Sequence, residues 1–188
     1  MPDRFGVELR AELSGDTLSG HAAVFGALAA IPADRPRYYE GLARTAFDAV
    51  LDQDVPALIN HDPTLILGRS SAGTLKLSTD DSGLYFEIPQ LPNTSYANDL
   101  RESVARGDVN GMSFGFIPGA VDKGRAPDGR QLRTHTRIGR LLDVSPVTYP
   151  AYDGTDVVLR SQTFTTAHDN RSRLIKIRAA ALFGRNDT

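Results

Sequence analysis

The chain has 188 residues, 40% of them apolar and 23% charged, with a formal net charge of -2 and no cysteine. That length fits one domain of ordinary size, or one domain with a tail, and the composition is that of a soluble globular protein. The missing cysteine excludes disulfides, thiolate metal sites and a cysteine nucleophile, and no apolar run approaches the ~18 residues of a membrane-spanning helix.

Residues 5–13 alternate, with Phe5, Val7, Leu9, Ala11 and Leu13 on one face and Glu8, Arg10 and Glu12 on the other. The pattern predicts a half-buried strand. Ser14-Gly15-Asp16 is turn chemistry, and residues 18–25 read as the partner strand. Residues 26–40, with Gly26, Pro32 and Pro36, read as a loop. Thr45 suits the N-cap of a short helix over 46–51. Residues 55–60 form a short apolar strand that runs into His61, and Pro63 marks its end. Residues 73–78 and 84–88 alternate around Thr79-Asp80-Asp81-Ser82-Gly83, a hairpin signal.

The strongest helix signal covers Ser95 to Arg106, where Tyr96, Leu100 and Val104 share a face. Asn93 or Thr94 can cap its start, and Gly107 stands where a C-terminal glycine belongs. Residues 109–117 read as a strand ended by Pro118-Gly119. Ala126-Pro127-Asp128-Gly129 is a turn, and 131–136 and 139–148 are further strands. A last short strand is predicted over 157–159, and an isolated amphipathic helix around Leu174 to Leu182. About seven or eight strands without regularly alternating helices argue against a doubly wound parallel sheet and for a barrel or sandwich with appended helices.

Charge divides the chain unevenly. Residues 160–188 hold six basic side chains (Arg160, Arg171, Arg173, Lys176, Arg178, Arg185) against Asp169 and Asp187, so this segment is +4 and residues 1–159 are -6. The expected organisation is a domain over 1–160 and a basic tail over 161–188, helical or disordered. The tail suits either simple solvation or an acidic partner. The acidic body does not suit nucleic acid or a membrane. Met1-Pro2-Asp3-Arg4 lacks the apolar stretch of a secretory signal, so none is expected.

With no thiol, a catalyst of this composition works with an oxygen nucleophile and acid–base groups. The four histidines are His21, His61, His135 and His168, and none stands i, i+4 from another, so a helical zinc pair is absent. No metal and no cofactor are expected. Gly111-Met112-Ser113-Phe114-Gly115 matches G-x-S-x-G, but Phe116-Ile117-Pro118 continues it as a strand, where a nucleophile elbow leads into a helix. His61 ends an apolar strand, where its ring can reach a cleft. Asp143 lies inside an apolar strand, where a carboxylate needs a partner, and a histidine would be a good one. A serine nucleophile needs a base, and the base needs a third group to hold its tautomer. Ser113, His61 and Asp143 can fill those roles. An esterase order of Ser113, Asp143 and His168, and a non-enzymatic scaffold-binding module in which these residues are relics, are the alternatives.

Five stretches, in this order, carry a resemblance. They are Tyr39-Glu40-Gly41-Leu42 through Ala46-Phe47, Asn60-His61-Asp62 followed by Leu67-Gly68, Leu100 to Gly107, Gly111 to Phe116, and Asp143-Val144-Ser145-Pro146-Val147-Thr148-Tyr149-Pro150-Ala151-Tyr152. Together they resemble the prohead serine proteases of tailed bacteriophages, the HK97 type, a family related to the herpesvirus assembly proteases. The resemblance implies a mainly β fold with some α, a closed barrel of about seven strands wrapped by a few helices. It implies Ser113 as nucleophile and His61 as base. The third member in the family is usually a glutamate, here Asp143, one methylene shorter. The herpesvirus enzymes use a second histidine, which keeps His135 as an alternative. Oxyanion donors are sought among backbone N–H groups near Ser113 or around Arg137 to Arg140. The implied substrates are the scaffolding segment of a major capsid protein and the chain itself, inside the prohead in the host bacterial cytoplasm. A homodimer is the implied oligomer.

Overall fold

The computed structural model describes residues 3–7, 12–14, 16–31 and 37–149, with residues 3–7 and 12–14 described by backbone alone. Eleven strands and one α-helix lie among them. The strands are β1 (Asp3–Val7), β2 (Glu12–Ser14), β3 (Thr17–Val24), β4 (Ala29–Ile31), β5 (Tyr38–Leu42), β6 (Pro56–Ile59), β7 (Asp62–Arg69), β8 (Lys76–Thr79), β9 (Gly83–Ile88), β10 (Gly111–Arg125) and β11 (Gln131–Val147). The helix, α1, is Ser95–Arg106. The predicted strand over 157–159 and the tail helix lie outside the described residues. No described helix is long and apolar enough to cross a membrane.

The strands form two sheets. A seven-stranded mixed sheet runs β1-β10-β11-β5-β4, with β6 paired to β11 and β7 paired to β6. A four-stranded antiparallel sheet runs β2-β3-β9-β8. The closed barrel wrapped by helices is therefore a wrong expectation. Closure needs two partners for every strand, whereas among the described residues both sheets end on strands with one ladder partner, β1, β4 and β7 in the first, β2 and β8 in the second. The large sheet branches because β11 changes neighbour along its length. Gln131 to His135 pair in parallel with β5, and Val144 pairs with Ala57 of β6. One α-helix lies among the described residues, where a few were expected to wrap the barrel.

The core explains the pairing. Phe114 and Phe116, two apart on β10, put their rings on one face, stacked with centroids 5.2 Å apart. Phe47 meets Phe114 edge to face at 5.5 Å. Leu18, Leu84, Phe86 and Ile88 bury the small sheet against the same core, and Ala97, Leu100 and Val104 of α1 join it. The helix stops at Gly107 in the left-handed conformation, φ 80°. The Gly107 amide donates to Val104 and the Asp108 amide to Ser103, a Schellman end.

Four local expectations change for identifiable reasons. The single strand over 5–13 is two strands in different sheets, since β1 pairs with β10 and β2 with β3. The loop over 26–40 contains β4 and the start of β5, short strands defined by their partners. Residues 46–51 form consecutive turns and no helix; the Ala46 carbonyl accepts from Ile138 of β11 instead of from its own next turn. Strand β10 passes through Pro118-Gly119, because the register shifts on both sides of Pro118 and absorbs its missing N–H. The predicted hairpin of β8 and β9 and the turn at Ala126 to Gly129 are present.

Phe86 is fully buried on β9, away from Ser113. Phe86→Ala is expected to lower stability by about 3–5 kcal/mol, read as a lower midpoint of urea unfolding.

Candidate active site

Ile59 of β6 pairs with Asp62 of β7, which leaves Asn60 and His61 as a two-residue hairpin loop. Both have positive φ, 51° and 59°, as a type I′ turn requires. Asparagine tolerates this; a histidine there carries a cost of roughly 1–2 kcal/mol. The turn is held by the end of β11. The Asn60 amide donates to the Pro146 carbonyl at 2.9 Å, and the Thr148 amide donates to Asn60 Oδ1 at 2.9 Å. Pro63 does not itself end that strand: β6 stops at Ile59, and Pro63 is the second residue of β7, an edge strand that tolerates proline. Asp62 turns back on its own chain, accepting from the Thr64 hydroxyl at 2.6 Å and the Thr64 amide at 2.9 Å. Those two donors hold its carboxyl below the usual carboxylate range.

Beneath this turn lies the β10–β11 ladder. Ser113 stands opposite Ser145, and Gly115 opposite Asp143. Directly opposed residues share a face, so these four point away from the face that carries Phe114 and Phe116. His61 closes over them. Its Nε2 lies 2.8 Å from Ser113 Oγ, and its Nδ1 lies 2.6 Å from Asp143 Oδ2. Asp143 Oδ2 also accepts from the Ser145 hydroxyl at 2.6 Å. Ser113, Asp143 and Ser145 are buried, and the His61 ring is 10% exposed. A carboxylate accepting at Nδ1 fixes the imidazole with its proton there and its Nε2 lone pair toward the serine hydroxyl. The arrangement can withdraw a proton from Ser113.

Gly115, the last glycine of the G-x-S-x-G match, makes room for that carboxylate. A Cβ at Gly115 would lie 2.4 Å from Asp143 Oδ1. The match thus has a different physical basis from a nucleophile elbow: Ser113 lies inside a β-strand, with no helix after it.

The other candidates lie elsewhere. His135 is buried beside Glu40, with Nε2 3.5 Å from its carboxylate, and meets Phe116 edge to face. His21 pairs with Asp80 at 2.7 Å on the small sheet. His168 lies outside the described residues. Residues 137–140 are part of β11 and pair with Ile117 to Ala120, further along β10 than Gly115. Arg137 and Arg140 are exposed. A cavity of about 340 Å³ opens beside the turn, lined by Asn60, His61, Val147, Thr148 and Tyr149. A larger groove of about 1000 Å³ runs between β7 and α1, past Ile66, Tyr96 and Arg101, and contains none of the three residues. Among the described residues no cluster of three or more histidines and carboxylates could hold a metal.

Three residues of the site were not singled out in the sequence. Ser145 and Gly115 are defined by their register opposite Ser113 and Asp143, and Asn60 by its left-handed turn. The signal available was Asn60 beside His61, since asparagine is a common first residue of such turns.

A family model described as caudovirus prohead serine protease matches residues 6–170. The prohead protease of Enterobacteria phage HK97 is 36% identical over 75 residues, covering 40% of this chain and 32% of that protein. The aligned stretch thus spans about a third of that relative's length. No solved structure matches the chain.

Gly115→Ala is expected to destabilise by roughly 1–3 kcal/mol through overpacking against Asp143. Gly124→Ala, further along the same strand with open space at its Cβ position, is expected to change stability by no more than about 1 kcal/mol. Urea unfolding of the two variants side by side checks the contrast.

Proposed function

The chain belongs to the caudovirus prohead serine protease family, and from this we propose that it is a serine endopeptidase of capsid maturation, with Ser113, His61 and Asp143 as its catalytic residues. The observation that carries the reading is the continuous chain of hydrogen bonds from Ser113 Oγ through both ring nitrogens of His61 to Asp143. No described contact favours the esterase order, and G-x-S-x-G lies here in a strand.

The steps follow from that geometry. Ser113 Oγ attacks the scissile carbonyl carbon while His61 Nε2 takes its proton. The imidazolium so formed faces the Asp143 carboxylate, which stabilises the charge and keeps the ring oriented. The tetrahedral intermediate collapses, the C–N bond breaks, and His61 Nε2 returns the proton to the leaving amine. An ester on Ser113 remains. Water then attacks it, with His61 again as base, and release of the acid restores the serine hydroxyl. Near-complete burial of Ser113 and Asp143 strengthens the charge interactions along this path.

The substrates proposed are the scaffolding segment of the major capsid protein and the chain itself, cleaved inside the immature shell. The basic segment over 161–188, +4 by sequence, is proposed to direct the enzyme into that shell.

Co-expression with the capsid protein, followed by intact-mass spectrometry, tests the activity. Ser113→Ala and His61→Ala are expected to leave the capsid protein uncleaved, and Asp143→Asn to slow cleavage by about 10⁴-fold, the scale of a misplaced tautomer. Equal processing by wild type and Ser113→Ala would remove the protease reading. For the tail, a chain ending at Arg160 is expected to be depleted from purified proheads, and unchanged incorporation would sink that part.

A further inference from the structure

The Asp143 carboxylate receives two donors on one oxygen. His61 Nδ1 and Ser145 Oγ both lie 2.6 Å from Oδ2. Ser145 is fully buried, stands directly opposite Ser113 across the ladder, and comes from the same strand as Asp143, two residues on. The other side of the carboxylate abuts the Gly115 backbone, where even a methyl group would collide with Oδ1. Asp143 is therefore held from three directions, by His61, by the Ser145 hydroxyl and by the Gly115 backbone.

We propose that Ser145 is a positioning residue of the active site, which keeps the Asp143 carboxylate aligned on His61 Nδ1 through the hydrogen bond from its hydroxyl. This rests on the protease reading above. Aspartate here is one methylene shorter than glutamate, so its reach is short and its orientation matters more. A hydroxyl donating to Oδ2 fixes the rotation of the carboxylate about Cβ–Cγ, which decides whether an oxygen lone pair meets Nδ1–H. Ser145 touches neither the substrate nor the reacting atoms. It acts through Asp143 alone.

The probe is a fluorophosphonate, which phosphonylates an activated serine: Ser113 Oγ bonds to phosphorus, fluoride leaves, and His61 takes the serine proton. The rate of labelling is measured on the full chain without any protein substrate. Ser145→Ala is expected to slow labelling roughly 10- to 100-fold, the range of a hydrogen bond to a charged group. In an Asp143→Ala background the same substitution is expected to change the rate by less than about twofold, because Ser145 then has nothing to position. The far-downfield proton resonance of His61 Nδ1–H, absent from His61→Ala, is expected to shift or vanish in Ser145→Ala. An equal slowing in both backgrounds, or an unaltered resonance, overturns the proposal while labelling of wild type but not Ser113→Ala leaves the protease reading intact. A wild-type chain that the probe does not label overturns that reading and this one with it.

Discussion

A carboxylate with almost no exposure to water organises the site. Asp143 lies in the middle of an apolar strand with Val144 and Leu141 turned into the core. Burying such a charge is expensive unless donors surround it. Its donors, His61 and Ser145, and the space left by Gly115 are then one solution to a single problem. Removing any of them leaves an uncompensated or displaced charge. The ladder supplies the frame, because its register alone sets Ser113 beside Ser145 and Gly115 beside Asp143.

The frame depends in turn on the double use of β11. Its first five residues pair with β5 and its last part holds β6 and the Asn60-His61 turn. The same strand that carries Asp143 therefore positions the histidine that faces it. Phe114 and Phe116 anchor the opposite face of β10 in the core, so the two sides of the serine's strand have separate duties. A well-packed apolar face gives rigidity, and the hydrogen bonds of 2.6–2.8 Å stand on that frame.

Helix α1 was legible in the sequence, because its apolar spacing and Gly107 are local signals, although its N-cap Thr94 makes no side-chain capping bond. The β8–β9 hairpin was legible for the same reason. Ser113 could be singled out by its G-x-S-x-G match, His61 by its place at the end of an apolar run and Asp143 as a carboxylate inside an apolar strand. What local pattern cannot carry is pairing. Strand β5 is a strand because β11, far away in sequence, lies beside it in parallel, and β10 runs through Pro118 because the ladder can bulge there. Whether strands close into a barrel depends on the same distant pairings, and among the described residues the edges stay open. The roles of Gly115 and Ser145 were hidden likewise, since a glycine's function was to leave room for a side chain on another strand.

The left-handed backbone at His61 bears on how such a chain drifts under mutation. Glycine would occupy that position with less strain, and so would asparagine. Random change there is thus rewarded with a more relaxed turn and punished with a lost imidazole. Losing this histidine would relax the turn but strip the buried Asp143 carboxylate of a donor, so the two effects on stability oppose each other. The turn is a point where relief of backbone strain and the need for a donor to Asp143 pull in opposite directions.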